Sequence, residues 1–332
     1  MCITCNSFQT MAASDPTRTL TLRNQFSQAM GARFLELRRE VRESVYTNDC
    51  FGLREHQSPA TLEAIPPRQY AFLSNEQKVE EFMGWLESNS DLIVLHKPSP
   101  VRRRFVGSQR WTDVYIEDAY RTGMKRGHTE LKKAGVQFDR QDQTSDKYMT
   151  AGFWRPIHAD AVGLLYIRSF NELKGITGAM DTQMSRVLAE GLVQGLNPMN
   201  VARNLMNRIE RVGNLSLVDE RGRFIPALRR ARMLARTEII RAHHQATINA
   251  YREAEVSGVM IKAEWRTAGD RRVCPECAPL EGVVFTLDEV EGMIPVHPNC
   301  RCIAIPANVG EDRQKRVEYA NVVRETLGQP EL

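Results

Sequence analysis

The 332-residue sequence predicts an α+β protein that is predominantly α-helical: a helical N-terminal half, a helical core and a small β module near the C-terminal end. Three observations predict this. Apolar residues recur at steps of three and four through much of the chain. Aromatic residues are sparse, at 7%, which suits helices better than a β-sandwich. Between residues 258 and 306 the pattern changes to short β-branched runs separated by turn residues, with four cysteines among them. The length is ample for a buried core, and 42% hydrophobic with 26% charged residues is ordinary for a soluble globular chain. The formal net charge of +4, from 45 Lys+Arg and 41 Asp+Glu, excludes a nucleic-acid binder driven by bulk charge but leaves room for a local basic face. No apolar run approaches the ~20 residues of a membrane span. The N-terminus lacks the basic and apolar regions of a secretory signal, so a cytosolic origin is expected.

Residues 1–16 read as a flexible arm, and 17–150 as a helical N-terminal region. Within it, Phe26, Met30, Phe34, Leu37, Val41 and Val45 mark a helix over about 17–46, with Arg38, Arg39 and Arg42 on its other face. Gly52, Pro59, Pro66 and Pro67 make a connector of 48–70. Ser74, with Gln77 three residues on, caps a helix carrying Val79, Phe82, Met83 and Leu86. A long helix is expected over about 101–134, stopping at Gly135, with Trp111, Val114, Tyr115 and Ala119 on one face. The polar stretch that follows is the main boundary. Residues 151–306 form the second region, helical to about 257. One helix runs from Pro156 to Gly175 and a second ends at Gly195. A third starts at Asn197-Pro198 as N-cap and first helical residue. A fourth, from Pro226 to before Gly258, carries the stripe Leu228, Ala231, Ala235, Ile239, Ala242, Ala246 and Ala250, small enough for another helix to approach closely. Residues 258–306 are the Cys/His β module, with strands expected around VMIKAEWR, VVFTL and CIAIP, and 307–332 a charged C-terminal helix and tail.

Four of the seven cysteines fall within 29 residues, in the pattern Cys274-x2-Cys277-x19-His297-x2-Cys300-x-Cys302. A CxxC turn aims two thiolates at one point, and a second pair from a distant segment can complete a tetrahedral site, with zinc–sulfur bonds of ~2.3 Å. Thiolate and imidazole donors favour Zn2+ over hard cations. Four of these five residues would serve. Cys274 and Cys277 are the firmest, and spacing does not choose the other two among His297, Cys300 and Cys302. The alternatives are a pair of disulfides or inert thiols. A closed site of this kind is structural more often than catalytic and would contribute directly to folding of a module with little core of its own. Cys2 and Cys5 have no obvious second half and read as exposed thiols on the arm; Cys50 and His56 are weak candidates to join them.

The segment ARTEIIRAHHQATINA (235–250), Trp265, the turn Asp270-Arg271-Arg272-Val273-Cys274-Pro275-Glu276-Cys277 and then His297-Pro298-Asn299-Cys300-Arg301-Cys302 together resemble the phage Mu protein F-like (MuF) family of minor head, or head morphogenesis, proteins. The resemblance is traced over roughly 155–306 and is tightest over 235–306. It implies a non-enzymatic virion protein, made in the host cytoplasm and located in the capsid interior or at the portal vertex, that assists head assembly, DNA packaging or ejection. The implied partners are the portal protein, the major capsid or scaffolding protein, and packaged double-stranded DNA. Some members carry a fused toxin domain; with about 26 residues after Pro306, none is expected here.

Other candidates carry less. Arg236, Thr237 and Glu238 have the letters of an ADP-ribosyltransferase-like set, but three adjacent helical residues point in different directions. The plainer reading is that Thr237 and Glu238, with Asn249, Trp265 and Asp270, are structural motif residues. His243-His244 lacks the HExxH spacing of a metalloprotease and reads as polar helix surface plus one packed imidazole. Nine arginines and four acids fall between 208 and 241, and Arg229, Arg230, Arg232, Arg236 and Arg241 are candidates for contacting nucleic acid or an acidic partner. That supports an alternative, a DNA-binding virion protein; Arg102-Arg103-Arg104 is a smaller basic cluster. A zinc enzyme is the remaining alternative, one that an open coordination position would favour.

Overall fold

The structure is a computed structural model. It describes residues 15–54, 75–98, 110–136, 152–153, 155–210, 226–256 and 261–307. Helix α1 (Leu20–Arg42) continues as a π-helical stretch, Glu43–Thr47; α2 (Asn75–Asn89) continues likewise through Ser90–His96. There follow α3 (Asp113–Lys133), α4 (Pro156–Val193), α5 (Pro198–Ile209) and α6 (Ala227–Val256). The remainder is β1 (Ala263–Arg266), a 3-10 turn (Ala278–Leu280), β2 (Val284–Phe285), the short α7 (Leu287–Val290) and β3 (Ile303–Pro306). The chain is thus mainly helical, with one small sheet near the C-terminal end. The arm to residue 14, Ser74, Arg102–Arg104, the turn after Arg211, Gly258 and the tail helix lie outside the described residues. Contacts divide the chain into two compact units, one of residues 1–24, 115–166 and 236–332, the other of 25–114 and 167–235.

In the second unit, the α1 stripe is inside as its period requires: Phe26, Met30, Phe34, Leu37, Val41 and Val45 are all fully buried. Phe82 of α2 packs on Phe51, ring centroids 5.1 Å apart. The Trp111 indole N–H donates to the Val94 carbonyl (2.9 Å), and the Arg33 guanidinium lies 3.7 Å over its ring. Trp111 itself precedes α3, which starts at Asp113 rather than near 101. Asn197 caps α5, its side chain accepting the Asn200 N–H at 2.9 Å with Pro198 in the first turn, a contact worth about 1 kcal/mol. Residues 156–193 form one helix where the sequence suggested two. Gly175 has open space around it and no left-handed φ; a mid-helix glycine costs only about 1 kcal/mol, too little to end a helix flanked by buried Leu173, Ile176 and Met180.

In the first unit, α3 and α6 make the close approach that the small-residue stripe predicts. A Cβ on Gly123 would sit 2.1 Å from the His243 carbonyl oxygen, and one on Gly127 2.7 Å from the Ala250 Cβ. The Thr247 hydroxyl donates across the gap to the Gly123 carbonyl, at 3.2 Å. Gly135 then closes α3 with φ +86, the left-handed conformation expected just past a helix end. The sheet runs β2-β1-β3, both pairs antiparallel, with Ala263 opposite Phe285 on one side and Pro306 on the other. Trp265 and Phe285 fill the module's interior, and the Tyr251 hydroxyl of α6 donates to the Ala304 carbonyl at 3.3 Å, seating the sheet on the helix.

Candidate metal centre

The cluster is built from two turns. After β1 the chain bends at Gly269 (φ +64). The Val273 N–H donates to the Asp270 carbonyl (3.1 Å) and the Arg272 N–H to its carboxylate (3.0 Å). The CPEC turn follows: the Ala278 N–H donates to the Cys274 carbonyl (3.0 Å) and the Cys277 N–H approaches the Cys274 sulfur at 3.2 Å, so both thiols face the same side. The second turn, HPNC, is closed by the Cys300 N–H donating to the His297 carbonyl at 3.1 Å. It passes through a left-handed Asn299 (φ +62), a conformation asparagine tolerates better than most residues.

All five predicted residues meet here. His297 Nε2 lies 3.0 Å from the Cys274 sulfur and 3.3 Å from that of Cys277. Donor atoms of Cys274, Cys277 and His297 lie within 4.8 Å of one another, as do those of Cys277, Cys300 and Cys302, so Cys277 belongs to both groups. The five described cysteines of the chain are free thiols. Three of the cluster sulfurs are buried, Cys277, Cys300 and Cys302, while Cys274 and His297 are partly exposed. Hydrogen bonds from the Cys277 and Cys302 thiols hold the Cys300 sulfur well below the usual thiol range, and the same contacts push the Cys277 thiol up. The imidazole is oriented as a ligand: Nδ1 lies 2.9 Å from the Pro298 carbonyl, which can only accept, so Nδ1 carries the proton and the Nε2 lone pair faces the sulfurs. Soft sulfur with one neutral imidazole suits a borderline-soft divalent cation, and the donor set fits one.

Two polar contacts hold the ligand-bearing segments independently of any cation. Asp270, four residues before Cys274, grips Arg301, the residue between Cys300 and Cys302, through two parallel hydrogen bonds of 2.6 and 2.7 Å. The Arg272 guanidinium shares the same carboxylate at 2.9 Å. The Arg301 guanidinium holds the Asp270 carboxyl well below the usual carboxylate range. On α6, the Thr237 hydroxyl accepts the Asn299 N–H at 3.2 Å, tethering the HPNC turn to the helix. Arg301 lies within the motif, where spacing alone assigns it no role; the signal available was an acid just before one half of the cluster and an arginine inside the other.

The other predicted residues are placed as follows. Arg236 is exposed, Thr237 holds Asn299, and Glu238 is buried with Arg241 3.3 Å from its carboxylate. Of the five candidate arginines, Arg229 is exposed and Arg230 half-buried, while the Arg232 guanidinium packs against Gly31, where a Cβ would meet it at 2.9 Å. His243 and His244 are both buried at 3% exposure, a correction to the reading of one as surface. Around them only Arg241 and Gln245 are partly exposed, so the polar face of α6 there is a narrow strip that excludes both imidazoles. His244 Nε2 donates to the Val290 carbonyl at 3.0 Å, and burial lowers its pKa to about 4 and that of His243 to about 3. Asn249 is also buried. It donates to the Tyr120 hydroxyl (2.8 Å), which meets His158 Nδ1 at 2.9 Å, while His158 Nε2 lies 3.2 Å from Glu253. Nothing in the spacing of Tyr120, His158 and Glu253 announced that network.

A small sheet packed on α6 and carrying a Cys/His ligand cluster defines the class: a mainly helical α+β protein with a candidate metal-holding module at its C-terminal end. Residues 182–305 match the family model described as Phage Mu protein F like protein, so this stretch is similar to that family. It contains α6, both turns and all of the sheet but Pro306, and agrees with the family resemblance of the sequence. No curated protein and no solved structure matches the chain. Among the described residues no helix is long and apolar enough to cross a membrane.

Proposed function

We propose that this chain is a bacteriophage minor head protein that works by docking rather than turnover. It would enter the procapsid near the portal, assist head assembly, DNA packaging or ejection, and so reside in the virion. Its partners would be the portal protein and the major capsid or scaffolding protein. The observation that carries the reading is the phage Mu protein F-like match over 182–305. The cluster geometry supports a structural Zn2+ held by four of Cys274, Cys277, His297, Cys300 and Cys302, which would supply a cross-link between the two turns and no chemistry. Thr237 and Glu238 are each engaged in holding the fold, which weighs against the ADP-ribosyltransferase-like reading. With Arg232 packed on Gly31 and Arg241 beside Glu238, no specific observation favours the DNA-binding alternative over docking.

The test is co-purification with assembled procapsids, followed by imaging of a labelled chain. Signal at a single vertex is the expected result. Labelling spread evenly over the shell, or complete absence from procapsids, rejects the proposal. Zinc is tested separately by elemental analysis of the purified chain, where less than about half an ion per chain rejects it.

A further inference from the structure

Two ligand segments separated by 19 residues must be aligned before any cation can be bound. Each contributes ligands that cannot bind alone. If the ion itself had to collect them, its binding energy would be spent on closing the loop between them. The structure contains another means. Asp270 and Arg301 face each other fork to fork at 2.6 and 2.7 Å, with both side chains mostly shielded from water, at 13% and 18% exposure. Paired hydrogen bonds between a carboxylate and a guanidinium are directional as well as strong, because both groups are planar. The pair sits beside the ligands on both sides: Asp270 begins the turn that leads into Cys274, and Arg301 is covalently between two candidate ligands. Arg272 closes the carboxylate's remaining lone-pair direction, so the side chain has one orientation available.

We propose that Asp270 is a positioning residue for the metal centre, its carboxylate clamping Arg301 so that the CPEC and HPNCRC turns present their ligands together before metal binds. The proposal rests on the reading of the cluster as a metal site. It assigns Asp270 no contact with the ion; the residue acts through the segment that Arg301 belongs to. Ligand-orienting partners of this kind change metal affinity by about 10- to 100-fold when removed.

The experiment uses the full chain, kept reduced, stripped with a chelator and titrated with Co2+, whose thiolate charge-transfer and visible bands report ligand number and geometry. The wild-type chain is expected to bind one Co2+ with tetrahedral bands; failure here rejects the metal reading itself, independently of the clamp. Asp270→Asn is expected to weaken Co2+ binding about 10- to 100-fold with band positions unchanged, since every ligand remains. Arg301→Lys keeps the charge but loses the fork, and is expected to fall between the two; it serves also if Asp270→Asn does not fold. Exchanging the pair, Asp270→Arg with Arg301→Asp, is expected to recover affinity relative to either single change. Affinity within twofold of wild type for Asp270→Asn overturns the proposal. So does a shift of the cobalt bands, which would make Asp270 a ligand. A lower melting temperature of the stripped chain with unchanged Co2+ affinity overturns it as well, since that is the signature of a purely structural ion pair.

Discussion

Helix α6 has two neighbours in the same unit that it holds by different physics. Against α3 the contact is steric: Gly123 and Gly127 bring one backbone onto another, and Ala246, Thr247 and Ala250 fill what remains. Against the β module the contact is a side-chain core, in which Ile240, Ile248, Tyr251 and Ala254 join Trp265, Phe285, Leu287 and Val290, pinned by directed hydrogen bonds: Thr237 to Asn299, His244 to Val290, Tyr251 to Ala304. The module itself has strands of four, two and four residues, far below what holds a sheet by itself. It depends on the core it shares with α6 and, at its outer turns, on cross-links, the Asp270–Arg301 pair and the Cys/His cluster among them. A helix pair packed by shape loses stability wherever volume is added. Turns stapled outside a core lose it wherever a staple is drawn. The difference can be broken at either side.

The largest effect is expected from metal removal. Structural zinc contributes on the order of 10 kcal/mol to small modules that fold around it. If the cluster holds zinc as proposed, stripping the chain with a chelator should speed proteolysis within residues 263–307 by making transient opening more frequent, while the Asp270–Arg301 pair and the shared core keep the module mostly folded and most of the helical circular dichroism persists. Protection of the module that survives complete removal would mean that its polar staples suffice.

The next effect belongs to the helix pair. Gly123→Val places a branched side chain where even a Cβ would stand 2.1 Å from the His243 carbonyl oxygen. Neither backbone can yield without moving its helix. A loss of about 3 kcal/mol or more is expected, at the upper end of overpacking costs, although valine is the better helix former. Denaturant unfolding measures it. A loss below about 1 kcal/mol would show that the helices can slide apart and that shape is not what holds them.

The same contrast explains what could be read from the residues alone. The α1 stripe was legible because a period of 3.6 has only one cause in a soluble chain, and all six of its residues are buried. The cluster was legible because ligand spacing is short-range chemistry, and its five residues meet. What failed to show was long-range or aperiodic. Gly123 looks like any helical glycine until Ala246 and His243 are placed opposite it. Asp270 and Arg301 are 31 residues apart, and no pattern links them. One of His243 and His244 was misjudged as surface, because amphipathic reasoning assumes a wet face. From Ile239 to Tyr251 helix α6 has almost none: Ile240, Ala242, Thr247, Ile248 and Asn249 are buried along with the histidines. Gly175 misled in the opposite sense, since a glycine ends a helix only where packing allows it to.

The smallest effect is a slope, and it probes α6 where the two kinds of contact meet. Burial lowers the pKa of His244 to about 4 and of His243 to about 3, against an ordinary value of 6.5. Below pH 6.5 the unfolded chain therefore takes up protons that the folded chain refuses, so each histidine makes stability fall as the solution is acidified toward pH 4. Glu117 works the other way. Burial raises its pKa to about 7, so the folded chain holds a proton that the unfolded chain releases above pH 4.5, and stability falls as pH rises. Between pH 4.5 and 6.5 two histidines oppose one glutamate, and these three groups together weaken the protein on acidification. In His244→Gln the amide can still donate to the Val290 carbonyl, but one of the two titrating histidines is gone. The dependence of unfolding free energy on pH should flatten by about 1 kcal/mol per pH unit across that window. Comparing the two chains at each pH cancels what acid does to the thiols they share. An unchanged slope would mean that water reaches His244 in the folded state, and that α6 meets the module loosely rather than through a dry contact.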